Sequence, residues 1–139
     1  MNIWLVVPYE PIPIVDKTGR TLRYLALANE LTKDNKNILS LWTSDFDHVR
    51  KKSRFGLSTD YKISDNFLIK FLYSKTYKKN ISFARIKHNI LLSNKFKNAS
   101  NNFEIKPDII FCCLPTLMLA EQCVIFAKKN NIPIIIDIV

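Results

Sequence analysis

The chain has 139 residues, 47% hydrophobic and 12% aromatic, which suffices for one domain with a single buried core and excludes intrinsic disorder. Its formal net charge is +9, and the excess is local: residues 50–97 carry thirteen Lys/Arg against only Asp60 and Asp65. A block of one sign points to an anionic partner (a membrane surface, a phosphorylated substrate or nucleic acid) or else to a plain solvated face.

In chain order, "NIWLVV" (2–7) is a continuous apolar run ending at Pro8, the pattern of a strand buried on both faces. It has no cationic flank, so it reads as a strand and not as a signal peptide. No apolar run in the chain reaches the roughly 20 residues that cross a bilayer, so a cytoplasmic protein is expected. The Pro-rich loop "PYEPIPIVDKTG" follows, and a helix is expected from about Thr18 or Gly19 to Lys33, with Tyr24, Leu27, Ala28 and Leu31 as its apolar stripe. "ILSLWTS" (38–44) is the next strand. It runs into "WTSDFDHVRKKSR" (42–54), where two Asp and a His meet a block of cations. "FLIKFLY" (67–73) gives a third strand, and a helix is expected over 81–97 with Asn80 as N-cap and Phe83, Ile86 and Ile90 on one side. "DIIFCCL" (108–114), a helix over 116–131 closed by Lys128, Lys129 and two Asn, and the strand "IPIIIDIV" (132–139) complete the chain.

Strands without alternation, separated by helices, predict a parallel sheet covered on both faces: an α/β, Rossmann-like domain. In such sheets ligands sit beyond the carboxyl ends of the strands. The strand ends at Val7, Ser44, Leu114 and Val139 lie there, and the Asp/His cluster is on one of the loops that follow. Cys112, Cys113 and Cys123 are odd in number and lie in apolar runs, so they read as small core residues. No Cys/His spacing here matches a metal site. With Gly19 and Gly56 as its only glycines the chain has neither a P-loop nor a dinucleotide fingerprint. Gly19, with Arg20 and Arg23 on the following turns, either offers amides to an anion or simply serves backbone geometry. His48 either binds a hydroxyl or only ties its loop together.

The series "WLVVPYEPIP", "GRTLRYLALANEL", "ILSLWTSDFDHVRKKSR", "YKKNISFARI" and "KPDIIFCCLPTLMLAEQCVIFAKKNNIPIIIDIV" resembles the N-terminal half of family 4 glycosyltransferases. The similarity is to the branch that builds O-antigen, capsule and related bacterial surface polysaccharides, and it covers nearly the whole chain. It implies a GT-B fold of two Rossmann-like domains facing across a cleft. It also implies retaining transfer of a sugar from a nucleotide-sugar to a glycan or lipid-linked acceptor, with no metal and no cofactor beyond that donor substrate. Gly19, Arg20 and Arg23 match the family's phosphate loop, although the family often has a run of glycines where this chain has one. Asp45, Asp47 and His48 match the acceptor-side loop after the second strand. The donor-binding domain and the Arg/His-Asp motif expected after the last strand have no counterpart, so the chain reads as an incomplete N-terminal domain that is inactive alone. Asp137 reads as structural, and no catalytic residue is assigned.

With lipid-linked acceptors in view, Arg50, Lys51, Lys52, Arg54, Lys78 and Lys79 are expected to face an anionic membrane, joined by Lys75 and Arg85. Tyr73 and Tyr77 are expected in the headgroup layer. The competing readings are a non-catalytic Rossmann-like module and, less favoured, a nucleic-acid-binding domain suggested by aromatics among the cations.

Overall fold

The computed structural model describes residues 1–17 and 19–138. In chain order the elements are β1 (Asn2–Val6), α1 (Pro13–Asp16), α2 (Arg23–Thr32), β2 (Ile38–Ser44), β3 (Phe46–Asp47), β4 (Lys52–Ser53), β5 (Thr59–Ser64), β6 (Phe67–Leu72), α3 (Phe83–Asn101), β7 (Ile109–Cys113), α4 (Leu117–Asn130) and β8 (Ile134–Asp137). A six-stranded sheet in the order β5-β6-β2-β1-β7-β8 organises them. All neighbouring pairs are parallel except β5 with β6. The molecule is therefore an α/β fold whose mostly parallel sheet is flanked by helices, compatible with the Rossmann-like expectation.

The unalternating apolar runs become central strands because both of their faces are covered. On one face Leu5, Leu39, Leu41 and Ile69 meet Tyr24, Leu25 and Ala28 of α2. On the other, Trp4, Val6, Trp42 and Ile110 meet Leu92 and Phe96 of α3 and Leu119, Cys123 and Phe126 of α4. The three cysteines are buried free thiols, two of them in this second cluster.

Several local expectations are corrected. The Pro-rich loop is not irregular throughout: Pro13 starts the short α1, and α2 begins only at Arg23, with Thr18 outside the described residues. The cap of α3 is Ser82, whose Oγ accepts the Arg85 amide at 3.2 Å, and not Asn80. Strand β5 has no counterpart in the sequence reading. It is an edge strand whose residues alternate between half-buried and exposed, and Asp60 pairs across to Lys70 of β6 at 2.7 Å. Charges on an edge discourage pairing with another chain. The end of α4 matches expectation, with Asn131 in the left-handed region (φ 54°). The last strand ends its ladder at Asp137, and Val139 is outside the described residues.

The cluster loop after the second strand

Strands β1, β2 and β7 run parallel, so the loops after them share the carboxyl edge of the sheet, and strand order reverses between β1 and β7. The loop after β2 is itself folded. Its two-residue strands β3 and β4 pair antiparallel, Phe46 with Ser53 and Asp47 with Lys52, around a turn in which Lys51 takes a left-handed φ of 57°.

The three acidic and imidazole residues of this loop separate into different roles. Asp45 is fully buried, and its carboxylate accepts the amides of Phe55 (2.7 Å) and Gly56 (3.1 Å). It staples the loop to its return segment and is withdrawn from any ligand, which corrects the cleft-binding expectation. Gly56 is needed there, since its φ of +78° is one that side chains rarely adopt. Asp47 closes an Asx turn, accepting from the amides of Val49 (2.9 Å) and Arg50 (3.0 Å). It also lines a surface cavity.

The His48 ring lies against Tyr9 with centroids 4.9 Å apart, and its Nδ1 is 2.7 Å from the Tyr77 hydroxyl. The Lys51 ammonium, which can only donate, is 3.4 Å from the same nitrogen. Nδ1 is therefore the accepting nitrogen of a neutral ring. Burial, then the charges of Lys51 and Arg85, push the His48 pKa below its ordinary value.

The cavity, of about 300 Å³, is lined by Asp16, Gly19, Arg20, Asp47 and Arg50, with Pro11, Leu22 and Val49 as its apolar wall. The structure thus brings Gly19, Arg20 and Asp47 together from loops after β1 and β2, and adds Asp16 and Arg50. It does not bring in Asp45, His48 or Arg23. The Arg23 guanidinium instead donates to the Tyr24 hydroxyl and, at 2.6 Å, to Asp137 at the end of β8. Tyr24 donates to the same carboxylate at 2.7 Å, so Asp137 ties α2 to the sheet edge. Gly19 is exposed, with φ +91°, and among the described residues no atom outside its chain neighbours lies within 4 Å of where a Cβ would stand, so its backbone is open to an approaching group.

The sequence reading missed Asp16. Its carboxylate accepts Arg54 Nε at 2.7 Å and Nη2 at 3.0 Å, as well as the Ile12 amide at 2.8 Å. Burial pushes the Asp16 pKa up. The Arg54 hydrogen bonds, the Ile12 amide and the nearby guanidinium charges more than offset this, so the carboxyl sits below its ordinary range. Arg54 is correspondingly removed from the expected membrane face, because its side chain is only 4% exposed. Among the described residues no three His, Cys, Asp or Glu side chains converge in a way that could hold a metal ion.

Beside the loop, His88 of α3 is fully buried among Tyr9, Phe46 and Tyr77. Its Nδ1 donates to the Lys75 carbonyl at 2.7 Å and its Nε2 has no hydrogen-bond partner among the described residues. Burial lowers its pKa from the ordinary 6.5. At about pH 7.5 the imidazole is essentially neutral both folded and unfolded. Below 6.5 the unfolded chain takes a proton that the folded chain resists, so stability falls with pH. Urea midpoints should therefore drop between about pH 7.5 and about pH 5. His88→Asn, which can place an amide donor where Nδ1 meets the Lys75 carbonyl but does not titrate, should reduce that slope. An unchanged slope would assign the acid sensitivity elsewhere.

No family model and no curated protein matches this chain.

Proposed function

We propose that this chain is the acceptor-side, N-terminal Rossmann-like domain of a retaining GT-B glycosyltransferase of surface-polysaccharide synthesis. Its cavity would receive the sugar or diphosphate end of a lipid-linked acceptor. The observation that carries the reading is the meeting, in the wall of one cavity at the carboxyl edge of a parallel sheet, of two guanidinium groups (Arg20 and Arg50) with the Asp47 carboxylate and an open glycine backbone, while Asp16 in the same wall is held by Arg54. Guanidinium groups bind phosphate oxygens in forked fashion, while carboxylates accept from vicinal sugar hydroxyls, so a mixed wall suits a phosphate-linked glycan. The resemblance of the loops after the first two strands supports the same reading. In that family the nucleotide-sugar is held by a second domain, so the activity proposed belongs to a protein carrying both, and this domain contributes acceptor recognition at the cytoplasmic face of the membrane.

Titrating the isotopically labelled chain with a short-prenyl diphosphate sugar checks it. Amide shifts should concentrate at Gly19, Arg20, Val49 and Arg50. Arg20→Ala should weaken binding about tenfold, the scale of one charge-assisted hydrogen-bonded contact. Shifts confined to other surfaces, or an unaltered affinity in that variant, would reject the cavity as the acceptor site.

A further inference from the structure

The apolar stripe expected on the third helix exists, but it faces outward. The buried residues of α3 are His88, Leu92, Phe96 and Ser100, with Ser93 beside them. Phe83 is 84% exposed, Ile86 and Ile90 are about half exposed, and Ile81, just before the helix, is 96% exposed. Ile81, Phe83 and Ile86 line a groove of about 550 Å³ at the start of α3, and Ile90 continues the stripe one turn on. Isolated exposed apolar residues are ordinary; four on one continuous face mark a contact surface.

The surrounding charge says what would cover it. Between residues 66 and 103 the sequence has eight Lys/Arg and not one Asp or Glu. Lys78, Lys79 and Lys87 beside the stripe are all exposed. A second copy of the chain would bring like charges face to face. Nucleic acid would want exposed rings to stack on, yet Phe83 is the one aromatic in the stripe, and Tyr77 among the cations is only 2% exposed. Apolar side chains rimmed by lysine match an anionic lipid surface, with chains reaching the acyl boundary and ammonium groups at the headgroup phosphates.

We propose that the first turns of α3 and the Lys78–Ile81 approach to them are a membrane-docking wedge, with Ile81 and Phe83 seated among lipid headgroups. The opposite face of α3 is packed into the core through Leu92 and Phe96. Only the outward stripe is therefore free to meet lipid, and insertion is shallow. The wedge is also tied to the cluster loop, since Lys51 Nζ donates to Asn80 Oδ1 at 2.6 Å. A docked wedge would hold the Arg50 side of the cavity close to the lipid surface. The purpose assigned to docking rests on the acceptor reading above; the docking itself rests on the exposed stripe and its charge.

Sedimentation with vesicles of phosphatidylcholine and phosphatidylglycerol in equal parts tests it, with no sugar ligand present, so its result is separate from the acceptor titration. The chain should bind these vesicles and not phosphatidylcholine alone. Ile81→Ser with Phe83→Ser should weaken binding about tenfold or more, because apolar burial is lost. Lys78→Gln with Lys79→Gln should weaken it by a similar factor, and more salt should weaken the parent chain. Both pairs should melt with the parent chain, since none of the four side chains is buried. Undiminished vesicle binding by the Ser pair overturns the proposal. So does equal binding to neutral vesicles, loss of a dimer in the Ser pair at sedimentation equilibrium, or release from vesicles by a single-stranded oligonucleotide that binds the Ser pair unchanged.

Discussion

Arg54→Leu should destabilise the domain by about 3–5 kcal/mol, the cost of stranding a buried charge. Three segments converge on that guanidinium. It forms the forked pair with Asp16, donates to the Ser44 carbonyl at 2.8 Å and to the Glu10 carbonyl at 3.1 Å, and lies 5.5 Å from the centre of the Phe71 ring. Leucine could fill part of the volume but would leave the Asp16 carboxylate and two carbonyls without that donor. Arg54→Lys should recover little, because a point charge cannot serve a forked carboxylate and two carbonyls together. Asp16→Asn in the Arg54→Leu background should recover part of the loss, since the stranded charge is then gone. Urea unfolding of the four proteins checks this, and a cost under about 1 kcal/mol, the range of exposed pairs, would refute it. The pH dependence has a definite sign. The folded carboxyl of Asp16 sits below its ordinary 3.8, so the pair's contribution is present above that value and is lost as pH falls through the folded pKa. The Arg54→Leu variant should therefore lose less stability on acidification through that range than the parent chain does.

Trp4→Ala should cost about 3–5 kcal/mol as well, a large share of the roughly 5–15 kcal/mol that holds a typical domain. Trp4 has no exposed surface and lies on the central strand. Its ring is 4.7 Å from Trp42, 5.2 Å from Phe126, 5.3 Å from Phe103 and 6.4 Å from Phe96, centroid to centroid. It thereby joins β1 to β2, α3, α4 and the segment before β7. Emptying that volume should abolish the near-ultraviolet dichroism of the packed rings and lower the urea midpoint while helix content persists. Trp4→Phe should cost much less, because the indole N–H has no hydrogen-bond partner among the described residues to lose. Equal losses for Ala and Phe would show that size and packing are not what Trp4 supplies.

The central strands were legible because a strand covered on both faces is apolar at nearly every position, and that pattern is local. So was the stop of α4, where Asn131 adopts the left-handed conformation that ends a helix. Strand β5 was not legible, since an edge strand alternates and carries charge, as loops do. Periodicity correctly found the Phe83, Ile86 and Ile90 stripe, yet could not say which way it faced. A helix has more than one candidate stripe, and the His88, Leu92, Phe96 and Ser100 row, half of it polar, is the one the sheet accepted. Within the loop of residues 42–54 the chain order showed carboxylates, an imidazole and cations together but not their duties. Asp45 and Arg54 are buried fasteners, while Asp47 and Arg50 border the cavity. That division depends on which partner each charge meets, and Asp16 meets Arg54 across 38 positions of sequence. Pattern along a chain reports what a segment can bury; the pairing of charges brought from distant loops exists only once the sheet has set those loops side by side.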